Sequence, residues 1–163
     1  MHFDSTVLKI LLITGFLSSL LSITQIENYN HLLLFIVIFN TALVDIFAYI
    51  IGSRYGKTPL LQNISPNKTL EGLFGGLLSS MAFIALLFIF INLSSLMALM
   101  ILISSIFAFV GDYSISYLKR RSSIKDTGNI LPGHGGILDR VDSHLSAATI
   151  FTFLYIFIKT SGI

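Results

Sequence analysis

The sequence predicts an all-α, polytopic transmembrane protein with about five membrane-spanning helices and two functional cytoplasmic loops. Its 163 residues are 54% hydrophobic and 11% charged, and the mean hydropathy is +0.86. A water-soluble domain needs a more polar surface than this composition supplies, so lipid is the expected solvent. The absence of cysteine excludes a disulfide framework, a thiolate metal site and a cysteine nucleophile.

Five apolar segments are candidates for membrane-spanning helices, which need about 20 residues. They cover 7–23, 32–52, 73–93, 96–118 and 145–158. The first has no strong basic region and no small-residue cleavage site, so we expect a retained helix rather than a signal peptide. The third and fourth are expected to form a hairpin that turns at Asn92, Ser94 and Ser95. Gly72 and Gly76 form a GxxxG pattern, which is typical of close helix packing in membranes.

Basic residues are concentrated in two polar loops, 53–72 and 119–143. With five helices both loops fall on one side of the membrane, whereas segment 25–30 on the other side has no lysine or arginine. The positive-inside rule therefore predicts cytoplasmic loops, with the N-terminus inside and the C-terminus outside. No organellar transit segment is recognisable, so a bacterial cytoplasmic membrane is the expected location. No repeat or linker divides the chain, which predicts a single membrane domain over 1–163.

Two carboxylates interrupt apolar helices. Asp45 lies in the second predicted helix and Asp112 in the fourth, each about 10 Å from the predicted cytoplasmic end at helical rise. An ionised carboxylate in hydrocarbon is costly unless it faces a polar cavity, a cation or a partner, so such residues are candidates for a functional site. The two could share one site. The alternative is that each is paired structurally with a lysine or arginine from a loop.

Asp139 and Asp142 lie at the entry to the last predicted helix, three residues apart and therefore on one face of a helical turn. Two acids in this position repel each other unless something positive holds them. A hard divalent cation such as Mg²⁺ suits oxygen ligands, and Asp45 and Asp112 reach the same leaflet, so we predict a metal site. Interaction of the two acids with the N-terminal helix dipole is the alternative.

A glycine-rich segment, 131–136 with the sequence LPGHGG, precedes these acids. Its three glycines, Gly133, Gly135 and Gly136, permit close approach of backbone N–H groups to a phosphate. His134 between them could donate a hydrogen bond to a phosphoryl oxygen or transfer a proton, or simply be solvated. As a general phosphate motif the segment is weak, because it matches neither of the common glycine-rich patterns.

Basic residues crowd around these acids beyond what membrane orientation requires. They are Lys68 from the first loop and Lys119, Arg120, Arg121, Lys125 and Arg140 from the second. Cations interleaved with carboxylates suit a metal-bound polyphosphate, with the acids on the metal and the cations on free oxygens. The alternative is a patch attracted to anionic lipid headgroups. The two interpretations are compatible if the substrate is itself an anionic lipid.

Three stretches of the sequence resemble the phosphatidate cytidylyltransferase family. The longest covers the second loop and comprises SYLKR at 116–120, KD at 125–126 and LPGHGGILDRVD at 131–142. The second is SPNKTLEGLFGG at 65–76, and the third is Asp45 with Ala48 and Tyr49. The resemblance runs from about residue 40 to the C-terminus, and a match that mixes these residue types at fixed offsets is specific.

The resemblance implies a polytopic membrane enzyme that uses Mg²⁺ to couple CTP to phosphatidate. The products would be CDP-diacylglycerol and pyrophosphate, released on the cytoplasmic side, and the enzyme is often a homodimer. A second metal or a monovalent cation such as K⁺ is left open. Membrane lipids are expected neighbours, and nucleic acid is not an expected partner. The alternatives are an inactive or partner-dependent paralogue, and an ion or solute transporter that uses the intramembrane aspartates.

The resemblance also assigns roles to individual residues. The metal would be held by Asp112, Asp139 and Asp142, together with Asp45. The catalytic group would comprise Lys119, Lys125, Asp126, His134 and Arg140. Substrate phosphates would meet Ser65, Lys68, Thr69, Gly133, Gly135 and Gly136. Lys119 and Lys125 are the candidates for stabilising the departing pyrophosphate.

Three features depart from the family pattern. Ile46 follows Asp45 where a small polar residue is usual, and Ile115 stands where many members carry glutamate. Family members also commonly have several more N-terminal helices than the single one expected before the second helix here. These departures leave the role of Asp45 open. They also predict that part of the lipid-binding cavity is missing or supplied by a second subunit.

Overall fold

The computed structural model describes residues 30–61, 65–121 and 138–161, which form four long helices and a two-stranded ribbon. The helices are α1 (Asn30–Tyr55), α2 (Leu70–Ile91), α3 (Ser95–Arg121) and α4 (Leu138–Ser161). The antiparallel strands β1 (Pro59–Leu61) and β2 (Ser65–Thr69) lie between α1 and α2. The most extensive contacts join α1 to α2 and α3 to α4, and smaller contacts join these two helix pairs.

Each of the four helices is long and apolar enough to cross a membrane. Their outer faces carry large apolar side chains that are more than half exposed, namely Phe35, Phe74, Leu78, Ile89, Phe90 and Phe153. Such a surface suits lipid rather than water. The predicted all-α, transmembrane class is therefore confirmed. The first predicted span, 7–23, lies outside the described residues, so the expected number of five stays a prediction.

The helices extend beyond the apolar segments that predicted them, except that α2 ends at Ile91 rather than at 93. α3 continues to Arg121 rather than ending at 118, and α4 begins at Leu138 rather than 145. A helix satisfies its own backbone hydrogen bonds whatever its side chains are, so polar residues continue it into the interfacial region. Hydropathy detects only the apolar part of each helix. Asp142 consequently lies within the first turns of α4 and not in a loop.

A two-stranded ribbon, which the sequence pattern does not predict, occupies most of the first polar loop. Its strands have the sequences PLL and SPNKT. Neither shows the alternation of apolar and polar residues over four or more positions that signals a strand. The pairing of Pro59 with Thr69, and of Leu61 with Ser65, therefore arises from the way the connection folds back between two packed helices.

Hydrogen bonds fix this ribbon to the start of α2. The Glu71 carboxylate accepts from the Thr58 backbone N–H at 3.2 Å and from the Thr58 hydroxyl at 3.0 Å. The Leu70 N–H donates to the Thr58 carbonyl at 2.9 Å. The Thr69 hydroxyl caps α2 by accepting from the Gly72 N–H at 3.2 Å. The end of the ribbon and the first turn of α2 therefore form one connected unit.

Glycines allow α2 to lie directly against α1. A Cβ added at Gly72 would come within 2.7 Å of the Ala48 carbonyl oxygen, and one added at Gly76 within 2.9 Å of the Val44 carbonyl oxygen. Both distances are shorter than a carbon and an oxygen tolerate without a shift of the backbone. The prediction that Gly72 and Gly76 allow close packing of a neighbouring helix is confirmed.

The predicted hairpin between α2 and α3 is present, and three residues form its turn. Asn92 follows α2 in the left-handed conformation, with φ 48° and ψ 49°, which asparagine tolerates better than most residues. The Ser94 hydroxyl accepts a hydrogen bond from the Met97 N–H at 3.3 Å as α3 begins. The two helices are therefore closed by complementary caps at the end that lies far from the ribbon.

Polar side chains join three helices in the interior of the bundle. The Asn40 amide of α1 donates to the Ser105 hydroxyl of α3 at 2.8 Å, and the Ser80 hydroxyl of α2 lies 2.8 Å from the same oxygen. All three residues are fully buried. In the described part of the chain the Asn40 carbonyl oxygen has no hydrogen-bond partner, so Ser105 supplies the only hydrogen bond that this amide makes there.

Replacing Ser105 by alanine is expected to destabilise the bundle by about 1–2 kcal/mol, because the Asn40 amide and the Ser80 hydroxyl lose a shared partner away from water. Ser104→Ala is the matched control, since the neighbouring Ser104 hydroxyl is equally buried but donates only to the Ile101 carbonyl of its own helix. The free energy of unfolding, measured by SDS titration in mixed micelles, compares the two variants. Equal losses would contradict the bridging role of Ser105.

Candidate functional site

The alternating directions of the helices bring four helix ends and the ribbon together at one end of the bundle. The start of α2 lies against the end of α1 at Gly72 and Gly52, and the end of α3 lies against the start of α4 at Gly111 and Asp142. A membrane protein of this topology can therefore gather side chains from all four helices at one depth. The acids singled out in the sequence lie at this end.

Three carboxylates from three different helices lie at this end. Asp45 belongs to α1, Asp112 to α3 and Asp142 to α4. The charge of Asp112 lies close enough to act unfavourably on both Asp45 and Asp142. Asp142 is 6% exposed, so water screens its charge poorly. The three acids therefore form a concentration of negative charge that needs cations nearby.

Lys68 of β2 supplies one of those cations. Its ammonium lies 2.7 Å from Asp112 Oδ2 and donates a longer hydrogen bond, at 3.4 Å, to the Ser116 hydroxyl. The same ammonium acts favourably on Asp45 and Asp142. Lys119, in the last turn of α3, also acts favourably on Asp142. The ribbon and the end of α3 thus deliver positive charge to the acids.

Ser143 holds two of the three carboxylates and was not among the predicted site residues. Its hydroxyl donates to Asp45 Oδ2 at 2.6 Å, across the boundary between α4 and α1. Its backbone N–H donates to Asp142 Oδ1 at 2.9 Å. A single serine after an aspartate carries no sequence signal of its own. Only the packing of α1 against α4 shows what its hydroxyl reaches.

Gly111 determines how closely α3 approaches α4 beside the acids. A Cβ added at Gly111 would overlap Ser146 and would lie 3.2 Å from the Asp142 carbonyl oxygen. Gly111 immediately precedes Asp112, so this contact brings the Asp112 backbone next to the turn that carries Asp142. This packing of α3 against α4 explains why a glycine precedes Asp112.

Two of the predicted phosphate-binding residues, Thr69 and Ser65, already take part in secondary structure. The Thr69 hydroxyl is used as the cap of α2. Ser65 begins β2 and pairs with Leu61. Both stand on the same short strand as Lys68, at the end of the bundle where the acids lie. Their predicted contact with substrate stays a prediction.

The remaining predicted residues belong to the connection between α3 and α4. Lys125, Asp126, Gly133, His134, Gly135 and Gly136 lie outside the described residues. Asp139 and Arg140 lie in the first turn of α4, where the backbone alone is described. The start of α4 therefore places the backbone of both residues within one helical turn of Asp142.

The donor chemistry at this end suits a hard divalent cation, because three carboxylates offer oxygen ligands. Within 30–61, 65–121 and 138–161, however, no group of three or more histidine, aspartate or glutamate side chains is arranged to hold a metal ion. The Lys68 ammonium lies against Asp112 instead. The magnesium site is therefore a prediction that requires the carboxylates to gather more closely than they do here, or Asp139 to join them.

Comparison with known proteins gives consistent matches. Phosphatidate cytidylyltransferase of Aquifex aeolicus (strain VF5) is 42% identical over 137 residues, which are 83% of this chain and 51% of the relative. The enzyme of the same name from Bacillus subtilis (strain 168) is 39% identical over 140 residues, which are 82% of this chain and 51% of the relative. The chain thus spans about half the length of the curated relatives it matches.

A solved structure supports the fold. An intramembrane enzyme for archaeal membrane lipid biosynthesis superimposes with a TM-score of 0.57 at 23% sequence identity, covering 74% of this chain and 76% of that one. A sequence model described as the cytidylyltransferase family matches residues 1–158, nearly the whole chain. On this match, and with the acids and Lys68 of the resembling motifs meeting at one end of the bundle, the chain belongs to the cytidylyltransferase family.

Proposed function

We propose that this chain catalyses the transfer of the cytidylyl group of CTP to phosphatidate, giving CDP-diacylglycerol and pyrophosphate. The observation that carries the proposal is the meeting of Lys68 with Asp45, Asp112 and Asp142 inside a membrane-spanning bundle. Cations interleaved with carboxylates suit a metal-bound polyphosphate, and a site between membrane helices suits a lipid. The relatives are named phosphatidate cytidylyltransferase, which supports this choice of substrates.

The chemistry needs positioning and charge neutralisation more than a strong base. The phosphate of phosphatidate is already anionic near neutral pH, and one of its oxygens attacks the α-phosphorus of CTP. A bond forms between that oxygen and the α-phosphorus, and the bond from the α-phosphorus to the bridging oxygen breaks. Pyrophosphate leaves with the electron pair of the broken bond. The barrier comes largely from bringing two anions together.

The residues of the site would divide this work by charge. Asp112 and Asp142, with Asp139 and Asp45, would hold Mg²⁺, which when bound neutralises phosphate oxygens of the nucleotide. Lys68 and Lys119 would bind the phosphate oxygens left free and stabilise the charge that develops on pyrophosphate. The resemblance gives Lys125, His134 and Arg140 the same kind of role. The ion pair between Lys68 and Asp112 would then be exchanged for contacts with the nucleotide.

The location follows from the substrates. The headgroup of phosphatidate must reach the acids while its acyl chains remain in the bilayer, so a site between helix ends is suitable. CTP is a cytosolic nucleotide, and the basic loops are predicted to face the cytoplasm by the positive-inside rule. We therefore place the reaction at the cytoplasmic face of a bacterial inner membrane. A homodimer, which the resemblance implies, belongs to the same proposal.

The test is conversion of radiolabelled CTP to CDP-diacylglycerol by the purified chain in detergent with phosphatidate and Mg²⁺. We expect the product to disappear when EDTA is added or phosphatidate is omitted. Radiolabelled ATP should give no corresponding adenosine product. Retained binding of CTP without product, in a folded preparation, would contradict catalysis by this chain alone and favour a partner-dependent member of the family. Failure to bind CTP at all would contradict the nucleotide assignment.

A further inference from the structure

The Ser143 side chain connects α4 to an acid on another helix. It is 3% exposed, and its hydroxyl proton is directed to Asp45 Oδ2 over 2.6 Å. The His144 Nδ1 atom lies 3.2 Å from the same hydroxyl oxygen. A hydroxyl has one proton to donate, and a carboxylate oxygen at the shorter distance is a stronger acceptor than the imidazole nitrogen. The bond to Asp45 therefore takes that proton.

The backbone of the same residue fixes a second acid. The Ser143 N–H donates to Asp142 Oδ1 at 2.9 Å, and Asp142 is 6% exposed. Ser143 thereby donates a hydrogen bond to one oxygen of each carboxylate, Oδ2 of Asp45 and Oδ1 of Asp142. The charge of Asp112 acts on both of these acids.

We propose that Ser143 is a positioning residue whose hydroxyl sets which oxygen of Asp45 is presented to a divalent cation beside Asp142. The proposal rests on the proposed function, because it assumes that these acids bind the metal. Without the hydroxyl, repulsion from Asp112 would drive the Asp45 carboxylate away from the other two acids. The serine hydroxyl opposes that movement by tying Asp45 to the helix that carries Asp142.

The role explains a departure noted in the sequence. Asp45 is followed by Ile46 where related sequences usually have a small polar residue, which left the role of Asp45 open. Ile46 is 52% exposed, and its apolar side chain has no group that could hydrogen-bond to Asp45. The orientation of Asp45 comes instead from across the helix boundary, through the Ser143 hydroxyl.

The experiment measures binding of Mn²⁺ alone to the full chain in detergent, by the EPR signal of free Mn²⁺. We expect Ser143→Ala to weaken binding about 10-fold to 100-fold, the range found when a residue that orients a metal ligand is removed. Ser143→Thr keeps the hydroxyl and is expected to bind within about threefold of wild type. Thr149→Val is the control, since the Thr149 hydroxyl donates only to the Leu145 carbonyl within α4.

A thermodynamic cycle gives a second measurement that does not depend on the metal. The Tm values of Asp45→Ala, Ser143→Ala and the double variant are compared in detergent without divalent ions. A bond between the two side chains predicts a loss in the double variant smaller than the sum of the single losses. This cycle also shows whether the alanine variant is folded, because an unfolded variant gives no cooperative transition.

The outcomes separate the two ideas. Mn²⁺ affinity of Ser143→Ala within twofold of wild type, or strictly additive Tm losses, would overturn the positioning role while leaving the proposed reaction intact. No Mn²⁺ binding by wild type would overturn the metal site itself, and with it this role of Ser143. Weak binding in Ser143→Ala with recovery in Ser143→Thr supports the proposal.

Discussion

Replacing Asp112 by asparagine is expected to lower CDP-diacylglycerol synthesis by at least about a hundredfold while leaving the protein folded. Asp112 is paired with Lys68, and its negative charge acts on both Asp45 and Asp142. Asparagine cannot neutralise the Lys68 ammonium and is a poorer ligand for a hard cation. Turnover should therefore fail at the step that brings two anions together.

The stability of this variant should change little. The side chains of Lys68 and Asp112 are 29% and 30% exposed, and an ion pair open to solvent to this degree contributes about 1 kcal/mol or less. We expect the Tm in detergent to fall by only a few degrees while activity is lost. The combination separates a role in the reaction from a role in folding.

The matched control is Ser114→Ala on the same helix. Ser114 is exposed, lies two residues beyond Asp112, and its hydroxyl donates only to the Val110 carbonyl of α3. Its turnover and Tm should equal those of wild type. If Asp112→Asn kept more than about a tenth of wild-type activity, or lost activity and folded protein in equal measure, the assignment of Asp112 to the reaction would be wrong.

The helices could be predicted because the bilayer imposes a length and a composition on them. A run of apolar residues near 20 in length has few alternatives, and four of the predicted segments correspond to α1–α4. The polar ends of these helices could not be predicted in the same way, because hydropathy does not distinguish a helix from a loop outside the hydrocarbon. The early start of α4, which takes Asp142 into the helix, is the consequence.

The acids could be found in the sequence because charge is costly in lipid and so is rare there. The side chains that surround these acids could not be predicted from the sequence. The hydrogen bond between Ser143 and Asp45 joins residues 98 positions apart, and the ion pair between Lys68 and Asp112 depends on a ribbon without periodicity. Such contacts come from the packing of whole helices. A single sequence shows which residues are chemically notable, but not which of them meet.

Replacing Gly111 by alanine is expected to lower both stability and turnover, although alanine is the better helix former by about 1 kcal/mol. The added Cβ would overlap Ser146 and crowd the Asp142 carbonyl oxygen of α4. Overpacking of this kind costs about 1–3 kcal/mol. Because Asp112 is the next residue, separation of α3 from α4 also moves Asp112 away from Asp142. We expect turnover to fall at least tenfold, by an effect of position alone.

The double variant Gly111→Ala/Ser146→Gly tests this explanation. It restores the space that the new methyl group needs, since Ser146 is the residue the Cβ would overlap. Turnover measured with labelled CTP should recover most of the loss, whereas the Tm should recover only partly because a glycine now stands within α4. Ser146→Gly alone should lose stability but little activity. A Gly111→Ala variant that is more stable than wild type and fully active would show that helix propensity outweighs the contact, and that α3 and α4 need not approach so closely for Asp112 to act.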